Sequence, residues 1–344
     1  GIKQNMKQFE IPIVIFSFKR HEKIKEIISV ISKIKPKKIY LLSDGGRTEK
    51  EHIQVNKCRA AMEFAIDWDC EVIKRYQSTN IGVYENIAGG AKWVFEKEDT
   101  AIFLEDDNLP EETFFYFCRD LLEKYKDNND VLWICGTNYL KEYIPKNGAS
   151  YVFTKNMLPC GWASWKRKFI TCYDGELTLL NNKHFRKIFK SSYYWKPLYF
   201  QDKYNIEHEI DYFKKNNRFY SWDYQMSFSV RAHNAFAIVP IFNQIKNIGA
   251  DIDSTHGGTS ENDIMVKRFC GLKTKPMPRQ LKHPSKIEID YFFEKETAKI
   301  ILHPDFFSIK SISSRLLKKI LKIKKTESLR EFLSRKIKNA KNNK

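Results

Sequence analysis

No apolar run in this 344-residue chain approaches the roughly 20 residues needed to cross a bilayer; Ile11–Phe18 and Ala235–Phe242 are far shorter. No Cys-x-x-Cys pair occurs. The seven cysteines (58, 70, 118, 135, 160, 172, 270) are an odd, scattered set, which fits reduced core thiols better than a disulfide scaffold or a zinc site. No basic-then-apolar leader opens the sequence, so a cytoplasmic location is expected. Internal repeats and Pro- or Ser-rich linkers are also missing. The segment after the first apolar run, Ser17-Phe18-Lys19-Arg20, contains no glycine. P-loop and dinucleotide folds need glycines there for close backbone approach to phosphate, so those readings are weak.

What is present is globular: 42% hydrophobic and 14% aromatic residues, enough for one large domain or two modest ones. The net charge is +18, but residues 310–344 hold thirteen Lys or Arg against Glu327 and Glu331, so +11 of it lies in that tail. The body carries only the remaining +7, which argues against a nucleic-acid-binding protein.

Ile11–Phe18 is a continuous apolar run, as in a strand buried on both faces. Ile24, Ile27, Ile28, Ile31 and Ile34 follow at helical spacing until Pro36. The pattern continues with strands at 38–43, 70–75, 100–105 and 131–135. Between them lie helices at 49–66, 83–97 (interrupted by Gly89-Gly90) and 111–126. This alternation predicts an α/β fold, a mostly parallel open sheet with helices on both faces. The expected domain runs over 8–305, with a nucleotide-binding half at 8–136 and an acceptor-facing half at 137–305. After residue 150 the alternation fades into an aromatic-rich stretch expected to pack on the same sheet, and 270–310 reads as either strand or loop.

The strand at 101–104 ends in three consecutive acids, Glu105-Asp106-Asp107. Adjacent carboxylates repel, and a fold that gathers them at a strand end commonly gives them a hard cation such as Mg²⁺ or Mn²⁺. Strand carboxyl ends are also where open α/β sheets bind ligands. The competing reading makes Asp107 or Asn108 a cap for the helix starting near Pro110. A pocket bearing Ser17, Arg20, Asp44 and the acids could seat a nucleotide diphosphate, with Arg20 as a fixed positive charge. Asn80 and Gly82 lie in a loop that could reach sugar or ribose, or simply form a turn.

Six blocks resemble, in order, the inverting N-acetylglucosaminyltransferase I group of GT-A glycosyltransferases and its bacterial surface-polysaccharide relatives. They are IVIFSFKR, YLLSDGG, the helix before the fourth strand, AIFLEDDNLPEETFFYF, LPCGWASWKRKF and SWDYQ, spanning roughly residues 11 to 258. The resemblance implies a GT-A-type nucleotide-sugar-binding domain. It implies that Asp107 ligates Mn²⁺ or Mg²⁺, that Asp106 lies near the ribose or a metal-bound water, and that Glu105 lies near the donor sugar. Ser17, Arg20 and Asp44 fall where the family holds a uracil nucleotide. Asp223 falls at the general base, although this block has one Asp where the eukaryotic enzymes have a pair; a helix N-cap is its alternative role. His256, in a polar Gly-rich loop, matches a histidine that many GT-A enzymes place on the metal or diphosphate; a surface-loop histidine is the alternative. Trp162 is a candidate for the donor-sugar cleft, with a core tryptophan as the competing reading.

The implied activity is metal-dependent inverting transfer from a nucleotide sugar, expected to be a UDP-sugar, to a hydroxyl of a glycan or lipid-linked glycan in bacterial capsule, lipopolysaccharide or other surface-polysaccharide synthesis. A catalytically inactive glycan- or membrane-binding protein on the same fold is the alternative. The tail at 310–344 places Ile312, Leu316, Leu317, Ile320 and Ile323, then Leu329, Phe332, Leu333 and Ile337, at helical spacing among cations. A basic amphipathic helix pair of this kind suits an anionic membrane surface at the inner face of the cytoplasmic membrane. The competing reading is a docked helix with a solvated Lys face.

Overall fold

The apolar runs become buried strands, and the expected alternation is present through residue 135. In the computed structural model, which describes residues 8–249 and 269–342, β1 (Ile13–Ser17) is followed by α1 (Ile24–Ile34), β2 (Lys38–Ser43), α2 (Glu49–Ala65) and β3 (Glu71–Tyr76). The helix expected at 83–97 is broken into α3 (Gly82–Tyr84), a π-turn at Glu85–Gly89 and α4 (Gly90–Phe95). A Cβ on Gly90 would stand 2.5 Å from Leu42 Cδ2 and 3.1 Å from Phe16, so glycine is what lets this helix lie against the sheet. Next come β4 (Thr100–Glu105), β5 (Asn108–Pro110), α5 (Glu112–Lys124) and β6 (Val131–Cys135).

The strands form an eight-stranded sheet in the order β3-β2-β1-β4-β8-β6-β9-β7, completed by β7 (Tyr151–Thr154), β8 (Trp162–Trp165) and β9 (Phe236–Pro240). Six of the eight run in one direction; β8 and β7 run against their neighbours. Strands of the second half thus lie inside the same sheet. Successive β1 residues face opposite ways. Ile13 and Ile15 pack with α1, α2 and α5, while Val14 and Phe16 pack with the helical segment 82–95 and with α6 (Lys166–Cys172). All five isoleucines that marked α1 are buried, each contributing about 1.5–3 kcal/mol of transfer free energy.

The region that read as irregular is largely helical: α7 (Lys183–Ser191), α8 (Lys196–Asn216) and α9 (Asp223–Ala232) enclose a third core around Phe189, Ile206 and Phe228. The buried face of α8 includes Gln201 and Glu209, so it shows no apolar period. β10 (Ile245–Asn247) pairs antiparallel with β5, and the ambiguous 270–310 stretch contains α10 (Tyr291–Ile301). The tail forms α11 (Ile309–Ile320) and α12 (Leu329–Asn342).

Candidate active site

Strand order places the topological switch between β1 and β4: β2 and β3 extend from one side of β1, and β4 lies on the other. Open α/β sheets leave a crevice at the carboxyl ends of strands at such a point. Here a cleft of about 470 Å³ opens beside Ser17 at the end of β1 and Glu105 at the end of β4. Ser17, Arg20, Asp44, Asn80, Glu105 and Asp106 all line it.

The acid turn is tied down on every side. Asp106 accepts the Phe18 N–H (2.8 Å) and the Arg20 guanidinium (3.1 Å), joining the β1 loop to the end of β4. Asp107 accepts from Asn108 Nδ2 (2.9 Å) and lies 3.5 Å from Asn247 Nδ2 and 3.6 Å from Arg20. Neither Asp107 nor Asn108 caps the following helix. The residue before α5 is Glu111, which makes no side-chain cap, and Asn108 Oδ1 instead accepts from the amides of Glu105 (3.0 Å) and Gly161 (3.1 Å). The capping explanation for the acids is therefore removed. The chain at Gly249 passes directly over them; a Cβ there would fall 2.9 Å from Asp107 Oδ2.

Asp44 plays the matching part at the end of β2. Its two oxygens accept from the amides of Gly45, Ile81 and Gly82 and from Asn80 Nδ2, at 2.8–3.1 Å. Burial raises its carboxyl, against these bonds and the charge of Arg218. Asp44 and Asn80 thus form one bonded unit that shapes the cleft wall.

Asp223, the first residue of α9, accepts the Ser221 hydroxyl at 2.6 Å. Its carboxyl is raised by burial, opposed by Ser221 and by the amides of Asp223 and Tyr224. The cap position is Trp222 and carries no side-chain bond, so Asp223 is not the N-cap; it does not line the cleft itself, and its charge reaches Glu105. Glu105 is held well above the ordinary range by burial and by Asp107, Asp106 and Asp223, with Arg20 opposing. Asp107 is also raised, by burial foremost, with Arg20 opposing. Arg20 faces Glu105, Asp106 and Asp107, and such an excess of buried negative charge favours a cation.

Two expected participants stand apart. Trp162 is 1% exposed and stacks between Phe103 (centroids 3.9 Å apart) and Trp133 (4.0 Å), so it is a core residue, not a wall of the cleft. Its flat apolar surface is satisfied by neighbouring rings. His256 lies outside the described residues. Among the described residues, no three His, Cys, Asp or Glu side chains converge as a ready metal cage. The donor set at Asp107 fits an ion held by one or two carboxylates, with substrate phosphate and water completing its shell, as Mg²⁺ commonly is.

Sequence reasoning offered Asn108 only as a helix cap and missed Asn247, Arg47 and Arg218. The last two line the cleft, Arg47 ion-paired with Glu51 and Arg218 acting by its charge on Asp44. It also missed Glu209, fully buried on α8, which accepts the Tyr220 N–H at 3.0 Å and so fixes the turn leading to Asp223. Burial pushes Glu209 up to about 7, with Asp223 adding to the shift.

No protein-family model matches the chain, and no curated protein matches it. Solved structures similar to it include 4-diphosphocytidyl-2C-methyl-D-erythritol synthase from Anaerococcus prevotii, at 11% identity and a TM-score of 0.36, covering 75% of this chain and 96% of that one. A UDP-glucose pyrophosphorylase complexed with UDP-glucose matches at 10% identity and 0.34, covering 70% and 94%. The bifunctional glycosyltransferase WbbM matches at 12% and 0.28, covering 67% of this chain and 46% of that one. At TM-scores below 0.5 these likenesses assign nothing to this chain.

Proposed function

We propose that the chain is a metal-dependent inverting glycosyltransferase of the GT-A type, taking a nucleotide sugar, expected to be a UDP-sugar, and a glycan or lipid-linked glycan hydroxyl. The observation that carries this reading is the acid turn Glu105-Asp106-Asp107 at the sheet's switch point, which does not cap the following helix. There Glu105 feels the charge of Asp223, and Arg20 meets Asp106 and Asp107 beside a cleft also lined by Arg47 and Arg218.

In this reading Ser17, Asp44 and Asn80 form the nucleoside side of the cleft, and Arg20 and Arg218 supply positive charge for the diphosphate. Asp107 would hold Mn²⁺ or Mg²⁺, which when bound would supply positive charge to the leaving diphosphate. Asp106 keeps Arg20 and the β1 loop in place, and Glu105 faces the sugar. Asp223 accepts the proton from the acceptor hydroxyl. That oxygen bonds to the anomeric carbon on the face opposite the departing phosphate oxygen, inverting the centre. A carboxyl raised by burial is a better base than an exposed one.

A thermal-shift panel of UDP-, GDP-, CMP- and dTDP-sugars with and without Mn²⁺ tests donor binding, since a bound ligand raises the midpoint. The expected result is a metal-dependent shift with UDP-sugars, lost in Asp107→Ala. Asp223→Asn keeps the shift and loses transfer. Full turnover by Asp223→Asn refutes the base assignment. Neither shift nor hydrolysis with any nucleotide sugar favours the inactive glycan-binding alternative.

A further inference from the structure

The tail helix α11 is docked the wrong way round for a soluble protein. At 100° per residue, Ser311, Ser314, Arg315 and Lys318 share one side, and all four are half-buried. The tail meets the body through one buried aliphatic residue, Ile323 in the turn after α11, and otherwise through polar or aromatic contacts. Arg315 donates to the Phe306 carbonyl at 2.6 Å and lies 4.0 Å from that ring's centroid, and Lys325 pairs with Glu207 of α8 at 2.7 Å. The opposite side carries Ile309, Ile312, Leu316 and Ile320, which face outward; Ile309 is 85% and Ile320 75% exposed. Exposed Lys310 and Lys319 border this apolar row on its two flanks. In α12, Leu333 and Ile337 are exposed in the same manner. A surface helix ordinarily buries its apolar stripe and solvates its charges.

We propose that this outward row, with the cations beside it, is a docking surface for an anionic lipid bilayer. The apolar side chains enter the interface, and the flanking lysines extend to acidic headgroups. Charge chooses the occupant. The tail carries thirteen cations against two acids. Of those acids, Glu327 is paired with Arg335, and Glu331 accepts the Ser328 amide. A second copy would bring like charge against like charge, and a nucleic acid would leave the isoleucine and leucine row uncovered. Among the described residues no helix is long and apolar enough to cross a membrane, so attachment would be to the surface. This inference does not rest on the proposed activity.

The test is flotation of the full chain with vesicles of phosphatidylcholine, with and without phosphatidylglycerol. The chain is expected to float with the anionic vesicles only, less so as salt rises, because the cations act through screened charge. Leu316→Glu with Ile320→Glu should lower the partition coefficient about tenfold or more, as should Lys319→Glu with Lys322→Glu. Both pairs leave the body's contacts in place, so unchanged melting midpoints confirm folding. Absence of flotation, equal flotation with neutral vesicles, or full binding by the Leu316/Ile320 variant overturns the proposal. So does a dimer in sedimentation velocity that this variant dissolves, or duplex DNA binding that it leaves intact while flotation fails.

Discussion

Replacing Asn108 by Asp separates the geometry of the acid turn from its charge. Asn108 is fully buried and uses both ends of its amide: Oδ1 holds the amides of Glu105 and Gly161, and Nδ2 donates to Asp107 at 2.9 Å. Asp keeps the acceptor and sets a fourth acid of the turn against Asp107. At an effective dielectric of 20, two unit charges 2.9 Å apart repel by about 6 kcal/mol. The pair escapes part of this by taking up a proton. Holding a carboxyl of ordinary pKa 3.8 neutral at about pH 7 costs about 4 kcal/mol, which caps the loss. The introduced carboxyl has a higher pKa folded than unfolded, so the folded state binds the extra proton and the deficit grows as pH rises. Urea unfolding at about pH 5 and about pH 8 should therefore give a deficit larger by about 2–4 kcal/mol at the higher pH, partly relieved by Mn²⁺. Asn108→Ala instead strands two buried amides, costing about 1–3 kcal/mol each, with little pH dependence. An Asn108→Asp deficit that is the same at both pH values would refute the claim that this turn is limited by negative charge.

Trp162→Phe should lower stability by about 1–3 kcal/mol, read by urea unfolding, because it leaves a gap in a fully packed stack. Its metal-dependent nucleotide-sugar affinity should be unchanged by calorimetry; a large loss would return Trp162 to the cleft. Glu209→Gln removes a carboxyl raised from 4.5 to about 7 in the folded state. Wild-type stability should fall as pH rises through that interval, since the folded form loses a favoured proton. The Gln variant should lack this slope and gain about 1–2 kcal/mol at about pH 8, and parallel melting profiles would exclude the effect.

The parallel half of the sheet was legible because strands buried on both faces must be apolar at every position, as Ile13–Phe16 and Ile102–Leu104 are. The carboxyl ends of those strands were legible too, since an apolar run that stops at Ser17 or Glu105 marks where the cleft begins. α8 was hidden because it buries Gln201 and Glu209 where an amphipathic pattern needs apolar residues. Asn247 and Arg218 reach Asp107 and Asp44 across distant stretches of sequence, as Asn108 reaches Gly161, and no local spacing records such contacts. Trp162 was misplaced for a related reason: an aromatic side chain reads the same whether a sugar or another ring lies against it. The orientation of α11 was equally invisible, because an amphipathic pattern gives two faces without saying which one meets the body.

The cluster of rings that buries Trp162 also acts as a link. Phe103, two residues before Glu105, and Trp133 cover the faces of Trp162 at 3.9 and 4.0 Å, and the ring of Trp222, whose next residue is Asp223, lies 5.7 Å from it. The strand that ends in the acid turn and the helix that starts at Asp223 are therefore joined through buried rings. A ring lost from that cluster would loosen the link, so a core substitution there should show in turnover as well as in stability.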